Sequence, residues 1–175
     1  MDRTLVVFYS YTGTSRRLVQ LLCSQLGWPS GEVVEERARS GASGALRCVA
    51  DSLLRRQPPI RYQGPDPADF GTVVLVSPIW AYRLASPMRS FVADRRDDLQ
   101  QIAVLSVMGG SGAPNAVAEI GHLLGRAPLL AAAFTTREVE DGSCAGRLEA
   151  FGHALRACSR DSQPVRPASW SPLAG

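Results

Sequence analysis

The chain has 175 residues, of which 45% are hydrophobic and 20% are charged. This length fits one domain with a sizeable core, and the composition excludes disordered and fibrous classes. The formal charge of +3 comes from 19 basic residues, all of them arginine and spread along the chain, so nucleic-acid binding is not favoured. Because no run of about eighteen apolar residues occurs, we expect a cytoplasmic protein without a membrane span.

The first half of the chain alternates between strand and helix patterns. Residues 5–9 form a β-rich apolar run, and the helix that follows has leucines at four-residue spacing. A short strand over 32–35 and a helix over 45–56 come next, and Pro58 with Pro59 ends that helix.

The second half continues this alternation. Residues 72–76 read as a strand buried on both faces, and Ser86 followed by Pro87 predicts the N-cap and first residue of a helix. The buried face of this helix is predicted at Met88, Phe91 and Val92. Two further strand-helix units follow, with strands at 102–107 and 128–134, helices at 114–124 and around 148–158, and a tail without periodicity from residue 160.

Five such units predict an α/β fold, with a doubly wound five-stranded parallel sheet between two helix layers in a three-layer sandwich. We expect one domain over 1–159 and a loose C-terminal tail over 160–175. The ligand crevice of such a fold lies beyond the carboxyl ends of the strands. The loops after the first, third and fourth strands are therefore expected to meet.

The loop after the first strand has the composition of an anion-binding loop. Ser10, Thr12 and Thr14 place three hydroxyls around Gly13, and Ser15 begins the helix. Backbone N–H groups at a helix N-terminus favour a phosphate without any cation. An ordinary capped turn has the same composition, so this loop alone leaves both interpretations open.

Other chemistries have less support. A P-loop requires GxxxxGK[ST], and the chain has no lysine; GxGxxG is also absent from the first loop. The nucleophile elbow GxSxG is missed by one residue at 41–45 and at 109–113, and both histidines fall within predicted helices. The four cysteines form no CxxC pair, so neither a metal site nor a disulfide framework is indicated.

Two loops resemble those of the flavodoxin family. Residues 6–15 resemble the [ST]-x-T-G-x-[ST] phosphate loop, and residues 77–81 resemble the flavin-contacting loop after the third strand. The resemblance runs from about residue 5 to 158, and it implies the flavodoxin-like strand order 2-1-3-4-5 with FMN as cofactor. The residues then expected to bind FMN are Ser10, Tyr11, Thr12, Gly13, Thr14, Ser15, Ser77, Pro78, Ile79, Trp80, Ala81, Tyr82, Met108, Gly109, Gly110, Ser111 and Gly112.

The sequence also departs from the family pattern. Tyr82 stands where members often have glycine, and the loop over 108–112 lacks the tyrosine that many flavodoxins place over the flavin. Electron-carrying flavodoxins are usually strongly acidic, whereas this chain is mildly basic. Arg83 and Arg89 are candidates for binding the phosphates of NAD(P)H or an acidic substrate and for stabilising reduced flavin. Solvated arginines on a helix face are the open alternative.

Together these features favour an FMN-dependent oxidoreductase that takes electrons from NAD(P)H or a reductase and passes them to a small acceptor such as a quinone. The flavin would carry the chemistry, and no side chain is nominated as an acid or base. Two alternatives remain, a one-electron flavodoxin shuttle and a flavin-free binding module on the same fold. Family members often form dimers or tetramers, but no stripe of residues in this sequence demonstrates an interface, so a homo-oligomer is an open alternative.

Overall fold

A computed structural model describes residues 3–36, 50–51, 54–109 and 112–161 of the chain. Its strands are β1 (Thr4–Tyr9), β2 (Ser30–Glu35), β3 (Ile60–Gln63), β4 (Thr72–Trp80), β5 (Arg83–Leu84), β6 (Gln101–Met108) and β7 (Leu130–Thr135). Its helices are α1 (Thr14–Leu26), α2 (Ser86–Asp94), α3 (Ala113–Leu124), α4 (Thr136–Asp141) and α5 (Ala145–Asp161), and a single 3-10 turn covers Pro67–Asp69. None of the helices in these ranges is both long and apolar enough to cross a membrane.

The centre of the sheet is formed by five parallel strands in the order β2-β1-β4-β6-β7. Counted among parallel strands, this is the predicted order 2-1-3-4-5, so the doubly wound sheet is confirmed. The register sets Val6 of β1 opposite Val74 of β4, and Val74 opposite Ala103 of β6. The three central strands thus run side by side and end at the same edge of the sheet.

Two short antiparallel strands add to the predicted sheet. β3 pairs with β2 at one edge, and β5 pairs with the end of β4. Neither has the continuous apolar character of the central strands, because β3 alternates between half-buried and exposed residues and β5 contains two residues. Their pairing, rather than their own composition, makes them strands.

The core lies on both faces of this sheet. Along β1, Leu5 and Val7 belong to the cluster that contains Phe91 of α2, whereas Val6 and Phe8 belong to the cluster that contains Leu18 of α1. Successive side chains of a strand point to opposite faces, so each central strand contributes to both clusters. This arrangement confirms the predicted three-layer sandwich.

The predicted N-cap role of Ser86 is wrong. Leu84 still pairs with Ile79 in the sheet, so the chain leaves β5 only at Ala85, and Ala85 is the N-cap residue of α2. Ser86 is instead a fully buried residue of the first turn, whose carbonyl accepts a hydrogen bond from the Ser90 hydroxyl at 3.3 Å.

Other boundaries also differ from the predictions. Most of the predicted helix over 45–56 lies outside the described residues; Ala50 and Asp51 are helical, whereas Leu54 and Arg55 form a turn. Of the predicted tail, residues 162–175 lie outside the described residues. The helix α4 was not predicted, because its six residues carry too few apolar positions to show a period.

A buried ion pair joins α2 to α3. The Arg89 side chain is 2% exposed, and its Nε donates a hydrogen bond to Glu119 Oε1 at 2.5 Å. Its other N–H groups donate to the carbonyls of Leu84 at 3.1 Å, Arg56 at 3.2 Å and Asp51 at 3.5 Å. Arg89 is therefore not a solvated arginine, because one guanidinium connects α2, α3, β5 and the segment around residues 51–56.

A two-residue turn joins β4 to β5 in a β-hairpin. Residues 77–80 continue β4, which pairs with β6 up to Pro78 and with β5 through Ile79 and Trp80, so the predicted loop over 77–81 is mostly strand. The turn consists of Ala81 and Tyr82, with φ angles of 47° and 61°. Both values are left-handed, as a type I′ turn requires, and this conformation is unfavourable for residues with a Cβ.

Replacing Tyr82 with glycine is expected to stabilise the hairpin. Tyr82→Gly should raise the free energy of unfolding by about 0.5 to 1 kcal/mol, because glycine adopts left-handed angles without the Cβ clash while losing more chain entropy on folding. Urea denaturation measures this difference. Tyr82→Ala is the matched control, since it removes the ring but keeps Cβ, and an equal gain in both variants would contradict the backbone explanation.

Loss of Arg89 is expected to be strongly destabilising. Arg89→Ala should lower the free energy of unfolding by about 3 to 5 kcal/mol, because it leaves the Glu119 carboxylate without its partner in a buried place. The control Arg95→Ala removes a partly exposed ion pair with Asp98 and should cost about 1 kcal/mol or less. The double variant Arg89→Met and Glu119→Leu should recover part of the loss. Similar losses for Arg89→Ala and Arg95→Ala, measured in urea, would refute this role.

Candidate functional site

The carboxyl ends of β1, β4 and β6 surround a crevice of about 190 Å³. Its walls come from the three segments that the sequence predicts to meet, and from the start of α4. The lining residues are Tyr11, Thr12, Thr14, Ser15, Pro78, Ile79, Trp80, Val107, Met108, Gly109 and Thr136. Nine of these eleven were predicted as site residues; Val107 and Thr136 were missed.

The first wall is the loop that leads into α1. Gly13 is the N-cap residue with a φ of 94°, and an added Cβ would meet no atom within 4 Å, so backbone conformation rather than space favours glycine. A glycine N-cap offers no side-chain oxygen to the first N–H groups, and the first turn contains no acidic residue. The partial positive charge of this helix end therefore faces the crevice without a carboxylate from its own first turn.

Hydroxyl groups surround this helix end. The Ser10 hydroxyl accepts a hydrogen bond from the Arg16 N–H at 3.2 Å, and the hydroxyls of Thr12 and Thr14 lie 3.2 Å apart. Thr12 is exposed and Thr14 is half-buried, so both can reach a ligand in the crevice. The loop thus combines backbone donors with hydroxyl donors, as an anion site at a helix N-terminus requires.

The second wall is the indole of Trp80. Its ring contacts the rings of Tyr9 and Tyr11 edge to face, with centroid distances of 5.6 and 5.7 Å and interplanar angles of 86° and 87°. The Tyr9 hydroxyl donates a hydrogen bond to Glu35 Oε1 at 2.7 Å. Two nearly perpendicular neighbours hold the half-buried indole in one orientation, which leaves a fixed aromatic surface beside the crevice.

The third wall begins where β6 ends. Gly109 is exposed, and an added Cβ would meet nothing within 4 Å. Gly110 and Ser111 lie outside the described residues. Gly112 is buried at the N-cap of α3 with a φ of 111°, and an added Cβ would lie 2.6 Å from Cα of Tyr82. Glycine at 112 is thus required by both conformation and space, since the hairpin turn packs directly against it.

Thr136 is the first residue of α4 and lies within the capping box formed by Thr135 and Glu138. The Thr135 N–H donates to Glu138 Oε2 at 2.7 Å, and the Glu138 N–H donates to the Thr135 hydroxyl at 3.2 Å. The Thr135 hydroxyl also donates to Glu138 Oε2, at 2.9 Å. The two hydrogen bonds that Oε2 accepts from Thr135, together with Arg147, lower the pKa of the Glu138 carboxyl below its usual value, so it is ionised at neutral pH. Because Thr136 follows a strand at its carboxyl end, the rule that predicted the other loops could have found it.

The remaining predicted residues that the structure describes lie outside the crevice lining. Ser10 and Gly13 belong to the same loop as the lining residues, and Ser77 is buried at 2% exposure with its hydroxyl donating to the Pro78 carbonyl. Ala81 and Tyr82 line a different and larger cavity of about 770 Å³. Arg83 and Arg89 also line that larger cavity. Within the described ranges, no group of three or more His, Cys, Asp or Glu side chains is placed to hold a metal ion.

Comparison with known proteins gives matches among solved structures. No protein-family model matches the chain, and no curated protein matches it. A flavoprotein in complex with FMN from Lactobacillus acidophilus NCFM superposes with a TM-score of 0.67 at 17% identity, covering 82% of this chain and 99% of that one. A putative flavoprotein from Bacteroides uniformis ATCC 8492 gives a TM-score of 0.68 at 17% identity, covering 85% and 96%.

A third structure, the Fusobacterium nucleatum flavodoxin bound to flavin mononucleotide, gives a TM-score of 0.55 at 8% identity, covering 90% of this chain and 98% of that one. These identities are low, but nearly the whole length of each structure is matched. The strand order and the position of the crevice agree with the loop resemblance found in the sequence. The chain therefore has the flavodoxin-like fold.

Proposed function

We propose that this chain binds FMN in the crevice and acts as an oxidoreductase, taking electrons from NAD(P)H or a reductase and passing them to a small acceptor such as a quinone. The observation that carries the proposal is the meeting of three elements in one crevice: the helix end after Gly13, the fixed indole of Trp80 and the open glycine segment at Gly109. Two of the structurally similar proteins are described as complexes with FMN.

The first loop fits the phosphate of FMN. The N–H groups at the start of α1 would donate to phosphate oxygens, and the hydroxyls of Thr12 and Thr14 would add two donors. The left-handed Gly13 shapes the loop for such an approach, and no first-turn carboxylate of α1 would repel the anion. Ser10 connects the loop to the first turn of α1, because its hydroxyl accepts a hydrogen bond from the Arg16 N–H.

The other two walls fit a flat aromatic ring. Bound FMN would supply electron transfer in steps of one or two electrons, and the protein would supply binding, orientation and electrostatics. Trp80 would offer its face to the ring, held in place by Tyr9 and Tyr11. Among the described residues that line the crevice, Tyr11 alone has a titratable side chain. We assign no acid or base among these residues.

The open segment at Gly109 supports an enzyme over an electron shuttle. Gly109 itself has no side chain, and among the described residues no atom outside its chain neighbours lies within 4 Å of where a Cβ would be. A second planar molecule could therefore reach a bound flavin. The formal charge of +3 is also unlike the acidic surfaces with which electron-carrying flavodoxins dock on basic partners.

FMN binding is expected to depend on Gly13. In a titration followed by quenching of flavin fluorescence, Gly13→Ala should weaken FMN binding at least tenfold, because a Cβ disfavours the left-handed angle that shapes the phosphate loop. The matched control is Gly27→Ala at the other end of α1, where φ is 69° and an added Cβ is equally free of contacts. Both variants should lose similar stability, but the control should retain FMN affinity. A colourless protein that FMN cannot reconstitute would exclude the proposal.

Electron transfer is expected to need no separate reductase. The FMN-loaded protein should oxidise NADPH continuously when a soluble quinone is present, since the proposal has a second molecule reach the flavin past Gly109, where no side chain stands in the way. Absorbance at the NADPH band measures the rate, with FMN alone and with the Gly13→Ala protein as controls. If FMN binds but turnover begins only after a reductase is added, the chain is an electron shuttle rather than an enzyme.

A further inference from the structure

A second cavity is lined in part by the turn of the β4-β5 hairpin. Its volume of about 770 Å³ is within the usual range for sites of small organic ligands. It is adjacent to the crevice at this hairpin, since Trp80 lines the crevice and the next two residues, Ala81 and Tyr82, line the cavity. A ligand held here would therefore share a wall with the candidate cofactor site.

The cavity carries two positive charges without a described counterion. Arg55 is exposed and Arg83 is half-buried, and neither has a hydrogen-bond or ion-pair partner among the described residues. Arg89 and Glu119 also line the cavity, but they neutralise each other through their own ion pair. Two arginines that line one cavity and have no described partner are suited to an anion with several oxygens, above all a phosphate.

Arg89 fixes the backbone next to Arg55 and Arg83. Its guanidinium donates to the carbonyl of Arg56, which follows Arg55, and to the carbonyl of Leu84, which follows Arg83. One buried side chain thus holds the backbone next to each of the two arginines. Arg89 is therefore a positioning residue. The sequence had suggested Arg89 as a second phosphate-binding arginine beside Arg83, and in this inference Arg55 takes that role instead.

Backbone strain is concentrated at the same cavity. Among the described residues, three that are not glycine have a positive φ, namely Arg55 at 52°, Ala81 at 47° and Tyr82 at 61°. All three line this cavity. Such conformations cost free energy and tend to occur at ligand sites, where the surrounding structure maintains them.

The remaining lining residues suit the rest of a nucleotide. Tyr82 is 61% exposed and lines the cavity, so its ring is accessible for contact with a planar base. The exposed amides of Gln57 and Asn115 supply donors and acceptors for a sugar or base edge.

We propose that this cavity binds a nucleotide, with Arg55 and Arg83 contacting its phosphate oxygens and Tyr82 contacting its base. The nucleotide is the NADPH of the proposed function, and as the site of the electron donor this inference rests on that function. A free adenine nucleotide has the same chemistry, so both are included in the test.

The test measures nucleotide binding with and without FMN. Isothermal titration of NADP⁺ and of AMP into the FMN-loaded and the FMN-free chain should show binding of NADP⁺ in both forms. The double variant Arg55→Ala and Arg83→Ala should weaken this binding at least tenfold, while its FMN affinity stays as in the parent chain. The matched control is Arg61→Ala with Arg96→Ala, which removes the same charge from exposed positions outside the cavity lining and should change binding less than twofold.

Each outcome separates the two proposals. NADP⁺ binding that both double variants affect equally, or no nucleotide binding at all, would overturn the cavity site. Tighter binding of AMP than of NADP⁺, with the same dependence on the two arginines, would support the site and identify a free adenine nucleotide as its ligand. A chain that binds NADP⁺ through these arginines but never binds FMN would keep the cavity site and exclude the proposed function.

Discussion

The parallel pairing of β1, β4 and β6 is the constraint on which the candidate site depends. The register places Phe8 beside Val76 and Val76 beside Leu105, so the carboxyl ends of all three strands reach the same edge. Parallel neighbours can be connected only by crossovers, which here are helices on both faces. Each strand therefore ends in a segment at this edge, and residues far apart in sequence, such as Thr12 and Gly109, line one crevice.

The backbone at this edge contains residues in unfavourable left-handed conformations, whereas the strands of the sheet that supports it are regular. Gly112 has a left-handed φ and packs against the turn at Ala81 and Tyr82, whose own left-handed angles are unfavourable. The sheet and the buried side chains beneath, such as Leu84, provide the stability that maintains these conformations. The turn packs so closely against Gly112 that no Cβ fits between them. This contact helps to maintain the unfavourable left-handed angles of the turn.

The sequence predicted what depends on periodicity. The continuous apolar run of β1 and the leucines of α1 follow from the chain itself, as does the glycine-containing loop between them. It did not predict what depends on distant partners. β3 is a strand because β2 lies beside it, and β4 continues through Pro78 because β6 pairs with it. The burial of Arg89 was equally invisible, since arginine is usually exposed and Glu119 lies thirty residues away in sequence.

The arginines show why net charge alone says little about ligands. A guanidinium stays protonated in proteins, so a buried one must be given acceptors, and Arg89 receives a carboxylate and backbone carbonyls. Its charge is thereby used inside the fold. Arg55 and Arg83 lie next to the residues whose carbonyls Arg89 binds, yet their own guanidinium groups have no acceptor among the described residues. The same residue type thus connects buried elements in one place and lines an open cavity in another, and burial decides which.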